Sequence, residues 1–132
     1  MKVLITPRGF SSYGLEYVEK MKAAGLEVHY NYTGLAYSPE EFVELAKDAD
    51  AIIVGVDKID QIVIDKCPKL KAICKFGVGT DNIDVAYAES KNIYVGRTVG
   101  SNSNAVAEHV MSFIYCESKN LWTTIRDVRN HG

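Results

Sequence analysis

Apolar positions along this chain come in short runs that alternate between two periods. Lys2 to Thr6 is apolar at three successive residues and ends at Pro7 and Gly9, which predicts a strand followed by a loop over Pro7 to Ser12. Leu15, Val18 and Met21 repeat at helical spacing as far as Ala24, and Gly25 stands where a helix C-terminal glycine belongs. Leu26, Val28, Tyr30 and Tyr32 alternate with polar residues, the mark of a strand at a sheet edge. Ser38-Pro39-Glu40-Glu41 reads as a helix start: a capping serine, proline at the first helical position and acids in the first turn. Phe42, Val43, Leu45 and Ala46 form its buried face. Ala51 to Val56 is almost continuously apolar, as in a parallel strand covered on both faces.

The alternation continues. A short helix is predicted from Asp60 to Lys66, closed by Cys67-Pro68. A strand from Leu70 stops abruptly at Gly77-Val78-Gly79. A helix from Asp84 to Lys91 ends at Asn92, a residue suited to a left-handed position, and Ile93 to Thr98 makes a fifth strand. Gly100 to Asn104 is a polar turn. From Asn104 a long helix is predicted to the end of the chain.

Strand and helix alternate five times with short connections and no internal repeat. This predicts an α/β fold with right-handed crossovers. Five parallel strands favour the flavodoxin-like order 2-1-3-4-5, a three-layer domain over residues 1–103 with the helix of residues 104–132 leading out of it. In that helix Val106, Val110, Phe113, Ile114, Leu121, Ile125 and Val128 form one stripe. Met111, Tyr115 and Trp122 form a second beside it. Together they exceed the roughly 100° face that a surface helix buries, so one stripe suits the sheet and the other wants a partner. A homo-oligomer formed through this helix is the expected outcome.

Composition narrows the function classes. The chain has 132 residues, enough for one domain with a real core. Its net charge of −2 argues against a nucleic-acid or anionic-membrane surface. No apolar run approaches the ~18 residues of a membrane-spanning helix, and the N-terminus turns polar too soon for a signal peptide. Cys67, Cys74 and Cys116 have no metal-ligand spacing, and their odd number fits reduced thiols in a cytoplasmic protein.

Candidate chemistry concentrates at Gly77-Val78-Gly79. Two glycines around one small residue leave backbone N–H groups uncovered, and a following helix start would add more, with a positive dipole end. Such a turn suits a carboxylate or phosphate. In a doubly wound sheet it lies at the carboxyl ends of the strands, beside Thr6-Pro7-Arg8 and Val56-Asp57, where ligands bind. It is a poor dinucleotide fingerprint: Asn82 replaces the third glycine and no acid ends a strand about 20 residues on. Glu108 and His109 are adjacent on a helix and point about 100° apart, so they do not form an acid/base pair. Asp57 occupies the position of a receiver-domain phosphoaspartate, but Thr6-Pro7-Arg8 provides no acid to hold magnesium there.

Four blocks together carry a family resemblance: Lys2-Val-Leu-Ile-Thr-Pro-Arg8, Ala49-Asp-Ala-Ile-Ile-Val-Gly-Val56, Leu70-Lys-Ala-Ile-Cys-Lys-Phe-Gly-Val-Gly-Thr-Asp-Asn-Ile-Asp84 and Gly100-Ser-Asn-Ser-Asn-Ala-Val-Ala-Glu-His109. In this order and spacing the chain resembles the D-isomer-specific 2-hydroxyacid dehydrogenases, in particular their phosphoglycerate dehydrogenase-like branch. The one small departure is Val99, where the family usually has proline. The resemblance implies a substrate-binding (lid) domain of an NAD-dependent enzyme acting on a small 2-hydroxy or 2-keto acid. It implies that the amides of Val78 and Gly79, in the turn opened by Gly77, hold the substrate carboxylate. Asn102 matches a substrate-bonding position, and Lys75 is a further anion contact. Val78 and Val106 fall on the cofactor side. No catalytic residue and no metal ligand is assigned. The family's NAD-binding Rossmann domain, its catalytic arginine, its glutamate-histidine pair and its returning C-terminal segment have no counterpart in these residues. The chain is therefore expected to be a truncated, inactive part of the enzyme, with NAD bound only by the intact family member. A stand-alone carboxylate- or phosphate-binding or assembly module is the alternative.

Overall fold

The computed structural model describes residues 1–131. The chain divides into two compact units, Met1–Val99 and the segment from Gly100 onward.

In the first unit, five parallel strands stand in the order β2-β1-β3-β4-β5, as the alternation predicts. They are β1 (Lys2–Ile5), β2 (Glu27–Tyr30), β3 (Ala51–Val54), β4 (Ala72–Lys75) and β5 (Tyr94–Arg97). Five helices connect them: α1 (Phe10–Tyr13), α2 (Leu15–Ala23), α3 (Pro39–Ala46), α4 (Gln61–Asp65) and α5 (Val85–Ser90). The turn α1 lies in what the sequence predicts as loop. Its Phe10 is buried in the smaller core, so tertiary burial sets its conformation where periodicity is too short to show it.

The two sheet faces make two cores. Leu4, Ile52, Val54, Ile73 and Ile93 pack with Phe42, Ala46, Val63, Ile64 and Ala88 from α3, α4 and α5. Val3 and Ile5 pack with Phe10 and Val18 on the other face. Removing each such Val, Leu, Ile or Phe side chain from water contributes about 1.5–3 kcal/mol.

Local signals end the helices where the sequence places them. At α2, Gly25 (φ +81) bonds back to Lys22 O and Leu26 N bonds back to Met21 O, the paired bonds of a left-handed helix stop. Asn92 (φ 61) repeats the arrangement after α5: its N–H bonds Glu89 O, and Ile93 N bonds Ala88 O. Ser38 caps α3 reciprocally: Glu41 N donates to Ser38 Oγ at 3.2 Å, and Ser38 N donates to Glu41 Oε2 at 2.8 Å.

The second unit corrects one expectation. The predicted single long helix is two, α6 (Ser103–Ser118) and α7 (Leu121–His131). Asn120 adopts φ 54, and its N–H bonds Glu117 O, so α6 is closed at this residue. Apolar spacing continues across the break, which is why periodicity alone reads through it. No side chain of α6 or α7 is buried: Val106, Phe113, Ile114, Leu121, Trp122 and Ile125 are all exposed.

Candidate functional site

The site lies where β1, β3 and β4 end. β3 and β4 run in register through Val54 and Lys75, and Phe76 N makes a last bond to Val54 O at 2.8 Å. The two chains then bow apart. They meet again at a single parallel bridge, Ile59 to Ile83, where Ile59 N donates to Asn82 O at 2.8 Å and Asp84 N donates to Ile59 O at 2.9 Å. Between these clamps lie Gly55 to Lys58 on one side and Phe76 to Asn82 on the other.

The second of these segments carries the glycine turn. Gly77 has φ +144, a backbone conformation that side chains with a Cβ rarely adopt. Thr98 holds Gly77 O by two bonds, from its N–H at 3.1 Å and its Oγ1 at 3.0 Å. Among the described residues, the N–H groups of Val78 and Gly79 donate to no protein acceptor. They are half-buried to exposed, so an anion can reach them. The expected dipole contribution is corrected: α5 begins only at Val85, and its N-cap Asp84 already accepts Tyr87 N at 3.0 Å. The unbonded donors at the turn are therefore its own amides.

Side chains fill the split between the two segments. Lys75 Nζ donates to Gly55 O and to Asn82 Oδ1, each at 2.6 Å. Asn82 Nδ2 donates to Asp57 O at 2.6 Å and to Gly55 O at 3.2 Å. Thr6 Oγ1 donates to Asp57 Oδ2, tying the end of β1 to the same place. A cavity of about 270 Å³ opens here, walled by Thr6, Arg8, Gly55, Asp57, Lys75 and Phe76 among others. A larger one of about 450 Å³ lies beside it between α3 and α4, and Asp57 borders both. Tyr37 borders the larger cavity; burial, and then the nearby Asp57 charge, hold its phenol above the ordinary value.

The structure thus brings Lys75, Gly77, Val78 and Gly79 together at one strand end. Asn102 and Val106 belong to the second unit. Asn102 precedes α6 without capping it through its side chain, and Val106 is exposed on that helix. His109 stacks edge-on against Phe113 at 4.5 Å between ring centroids. Sequence reasoning placed the Thr6-Pro7-Arg8 turn here but missed Asn31 and Asn82 as parts of this region. Asn31 is buried and organises the loop after β2, which carries Ala36 and Tyr37 to the two cavity walls. A single polar residue closing an alternating strand was the available signal. Asn82 was visible only as the residue that breaks a fingerprint.

An open parallel sheet in the order β2-β1-β3-β4-β5, with two unbonded amides at its carboxyl edge, defines a doubly wound α/β domain. Residues 3–128 match the model of the D-isomer specific 2-hydroxyacid dehydrogenase catalytic domain, and the chain belongs to that family of NAD-dependent oxidoreductases. A D-3-phosphoglycerate dehydrogenase of Methanocaldococcus jannaschii is 41% identical over 90 residues, 67% of this chain and 17% of that protein. A glyoxylate reductase of Pyrococcus furiosus is 34% identical over 83 residues, 62% of this chain and 25% of that protein. The crystal structure of NAD+-bound 3-phosphoglycerate dehydrogenase from Entamoeba histolytica superposes with a TM-score of 0.70 at 33% identity, covering 88% of this chain and 38% of that one. The chain spans about a quarter of the length of curated relatives such as the Pyrococcus enzyme.

Proposed function

We propose that this chain is the substrate-binding part of an NAD-dependent D-2-hydroxyacid dehydrogenase of the phosphoglycerate dehydrogenase-like branch. The observation that carries this reading is the pair of unbonded amides at Val78 and Gly79, held at the carboxyl edge of the sheet by a glycine with φ +144. They hold the carboxylate of a small 2-hydroxy or 2-keto acid, an orienting role for hydride transfer. Asn102 bonds the substrate, while Val78 and Val106 lie on the nicotinamide side of the intact enzyme. Supporting the reading are the matched family model and relatives whose names include D-lactate dehydrogenase complexed with NAD and lactic acid, from Aquifex aeolicus, at a TM-score of 0.71 and 27% identity over 97% of this chain and 37% of that one.

NAD supplies the hydride acceptor in the intact enzyme. None of the residues assigned here seats a dinucleotide or takes the substrate proton. These 132 residues by themselves are therefore inactive, and the protein resides in the cytoplasm with its thiols reduced. No helix among the described residues is long and apolar enough to cross a membrane.

The test is a titration of the 15N-labelled chain with oxalate, a non-reacting dicarboxylate. The amide resonances of Val78 and Gly79 move in a saturable way. Shifts confined to other regions would refute the carboxylate site, and reduction of glyoxylate by the isolated chain with NADH would refute its inactivity. The exposed apolar residues of α6 and α7 support a homo-oligomer formed through this segment. Sedimentation that shifts with concentration, and is abolished by Phe113→Glu with Trp122→Glu, is the expected result.

A further inference from the structure

We infer that Lys75 and Asn82 form a positioning clamp that sets the direction of the Val78 and Gly79 amides, and that Lys75 acts on a bound carboxylate through this clamp. The inference rests on the carboxylate reading of the turn and adds the device that holds the turn in place.

The need for a clamp follows from the way the sheet ends. After Phe76 N bonds Val54 O, β4 turns away and offers no further ladder donor until the Ile59–Ile83 bridge. The carbonyls of Gly55 and Asp57 lie in the gap. Left without donors in a part-buried place, they would draw the two segments together or open them to water. Lys75 and Asn82 supply those donors from side chains. Lys75 reaches Gly55 O, and Asn82 reaches both Gly55 O and Asp57 O. The two side chains are also bonded to each other, Lys75 Nζ to Asn82 Oδ1 at 2.6 Å. This closes a ring of hydrogen bonds across the split. It fixes the amide orientation of Asn82, since the opposite orientation would set its NH2 group against an ammonium.

The ring brackets the glycine turn in sequence. Lys75 lies two residues before Gly77, and Asn82 three residues after Gly79. On its far side the turn is held by Thr98 through Gly77 O. The turn is thus fastened at its start, its end and its outer edge, while the two N–H groups between are left unbonded. Fixed, unbonded donors are what anion recognition needs, because no reorganisation remains to be done on binding. Two of the three Lys75 ammonium protons are already committed inside the ring. That commitment makes the residue a positioning group.

The test uses the 15N-labelled chain with four substitutions, read by backbone relaxation at Val78 and Gly79 and by oxalate affinity. Asn82→Ala and Lys75→Met open the ring. The order parameters of the two amides then fall from about 0.85 toward 0.6, and oxalate binds about tenfold more weakly, the scale of one charge-assisted hydrogen bond. Lys75→Arg keeps a cationic donor and retains most of both. Ser38→Ala removes a distant helix cap and changes neither readout. Unchanged order at Val78 and Gly79 in both ring-opening variants would overturn the clamp, whether or not oxalate binds. A loss of affinity in Lys75→Met with the amides still ordered would overturn it too, by making Lys75 a direct contact. Failure of oxalate to bind the unsubstituted chain refutes the carboxylate reading alone, because the relaxation measurement still decides the clamp. Should Lys75→Met fail to fold, Asn82→Ala decides.

Discussion

Asn31 is the buried polar residue on which the loop beyond β2 depends, and its removal has a calculable consequence. Its Nδ2 donates to Leu35 O at 2.8 Å, with a longer contact of 3.4 Å to Thr6 O. Its Oδ1 accepts Thr33 N at 3.1 Å, Thr33 Oγ1 at 2.9 Å and Gly34 N at 3.1 Å. Asn31→Ala deletes three well-formed bonds to backbone, at about 1 kcal/mol each. Thr33 and Gly34 are exposed, so their N–H groups recover water and the loss falls to about 2 kcal/mol. In a urea titration of a domain this size, with a slope near 1–1.5 kcal/mol/M, the midpoint drops by about 1.5 M. Asn31→Asp sharpens the test. It keeps the acceptors but turns a carboxylate oxygen toward Leu35 O. That repulsion raises the folded-state pKa of the new acid above its unfolded value. The penalty is therefore full above the folded pKa, fades as pH falls through it, and is gone below about 3.9. Measured against the unsubstituted chain at each pH, Asn31→Asp is the less stable variant at pH 7 and the more stable one near pH 4. A midpoint shift for Asn31→Ala under about 0.4 M, equivalent to the ~0.5 kcal/mol of an ordinary surface change, would refute the assignment. So would two variants with the same stability at every pH.

Three further outcomes follow from the same geometry. Gly77→Ala forces a Cβ into φ +144 and lowers stability by about 1–3 kcal/mol, with loss of oxalate binding; Gly77→Ala that binds oxalate normally would show the turn conformation to be irrelevant. Asp50 is held below its ordinary 3.8 by the Lys2 N–H and then by Lys71, and Asp60 by the Val63 N–H and then by Lys58. A depressed folded pKa stabilises above the unfolded value and is lost as pH falls through the folded one, so acid unfolding steepens below about pH 4 and is shallower in Asp50→Asn, as followed by circular dichroism. Burial pushes the Cys67 thiol up to about 11, so an aromatic disulfide reagent at pH 8 labels Cys116 before Cys67, read by mass spectrometry of peptides.

What the residues alone decide is everything that depends on neighbours in sequence. Ser38-Pro39 with Glu41 can only open a helix, and Gly25 and Asn92 take positive φ where the preceding helices end. Apolar runs of period two and period 3.6 separate strands from helices, and their alternation leaves the order 2-1-3-4-5 as the favoured arrangement, which the sheet adopts. The family was equally legible, because its motifs are contiguous. Two kinds of feature were not. The break at Asn120 is hidden because one residue in a left-handed conformation interrupts a helix without disturbing the apolar spacing on either side. The ring at the end of the sheet joins Lys75 and Asn82 to the carbonyls of Gly55 and Asp57, 20 to 27 residues away, and Thr6 to Asp57 across 51. Those bonds exist only once β1, β3 and β4 lie side by side, since backbone carbonyls carry no mark in the sequence of which will be left unpaired. The glycine turn is written locally; only the tertiary structure decides what holds it open, because its fastenings come from strands distant along the chain.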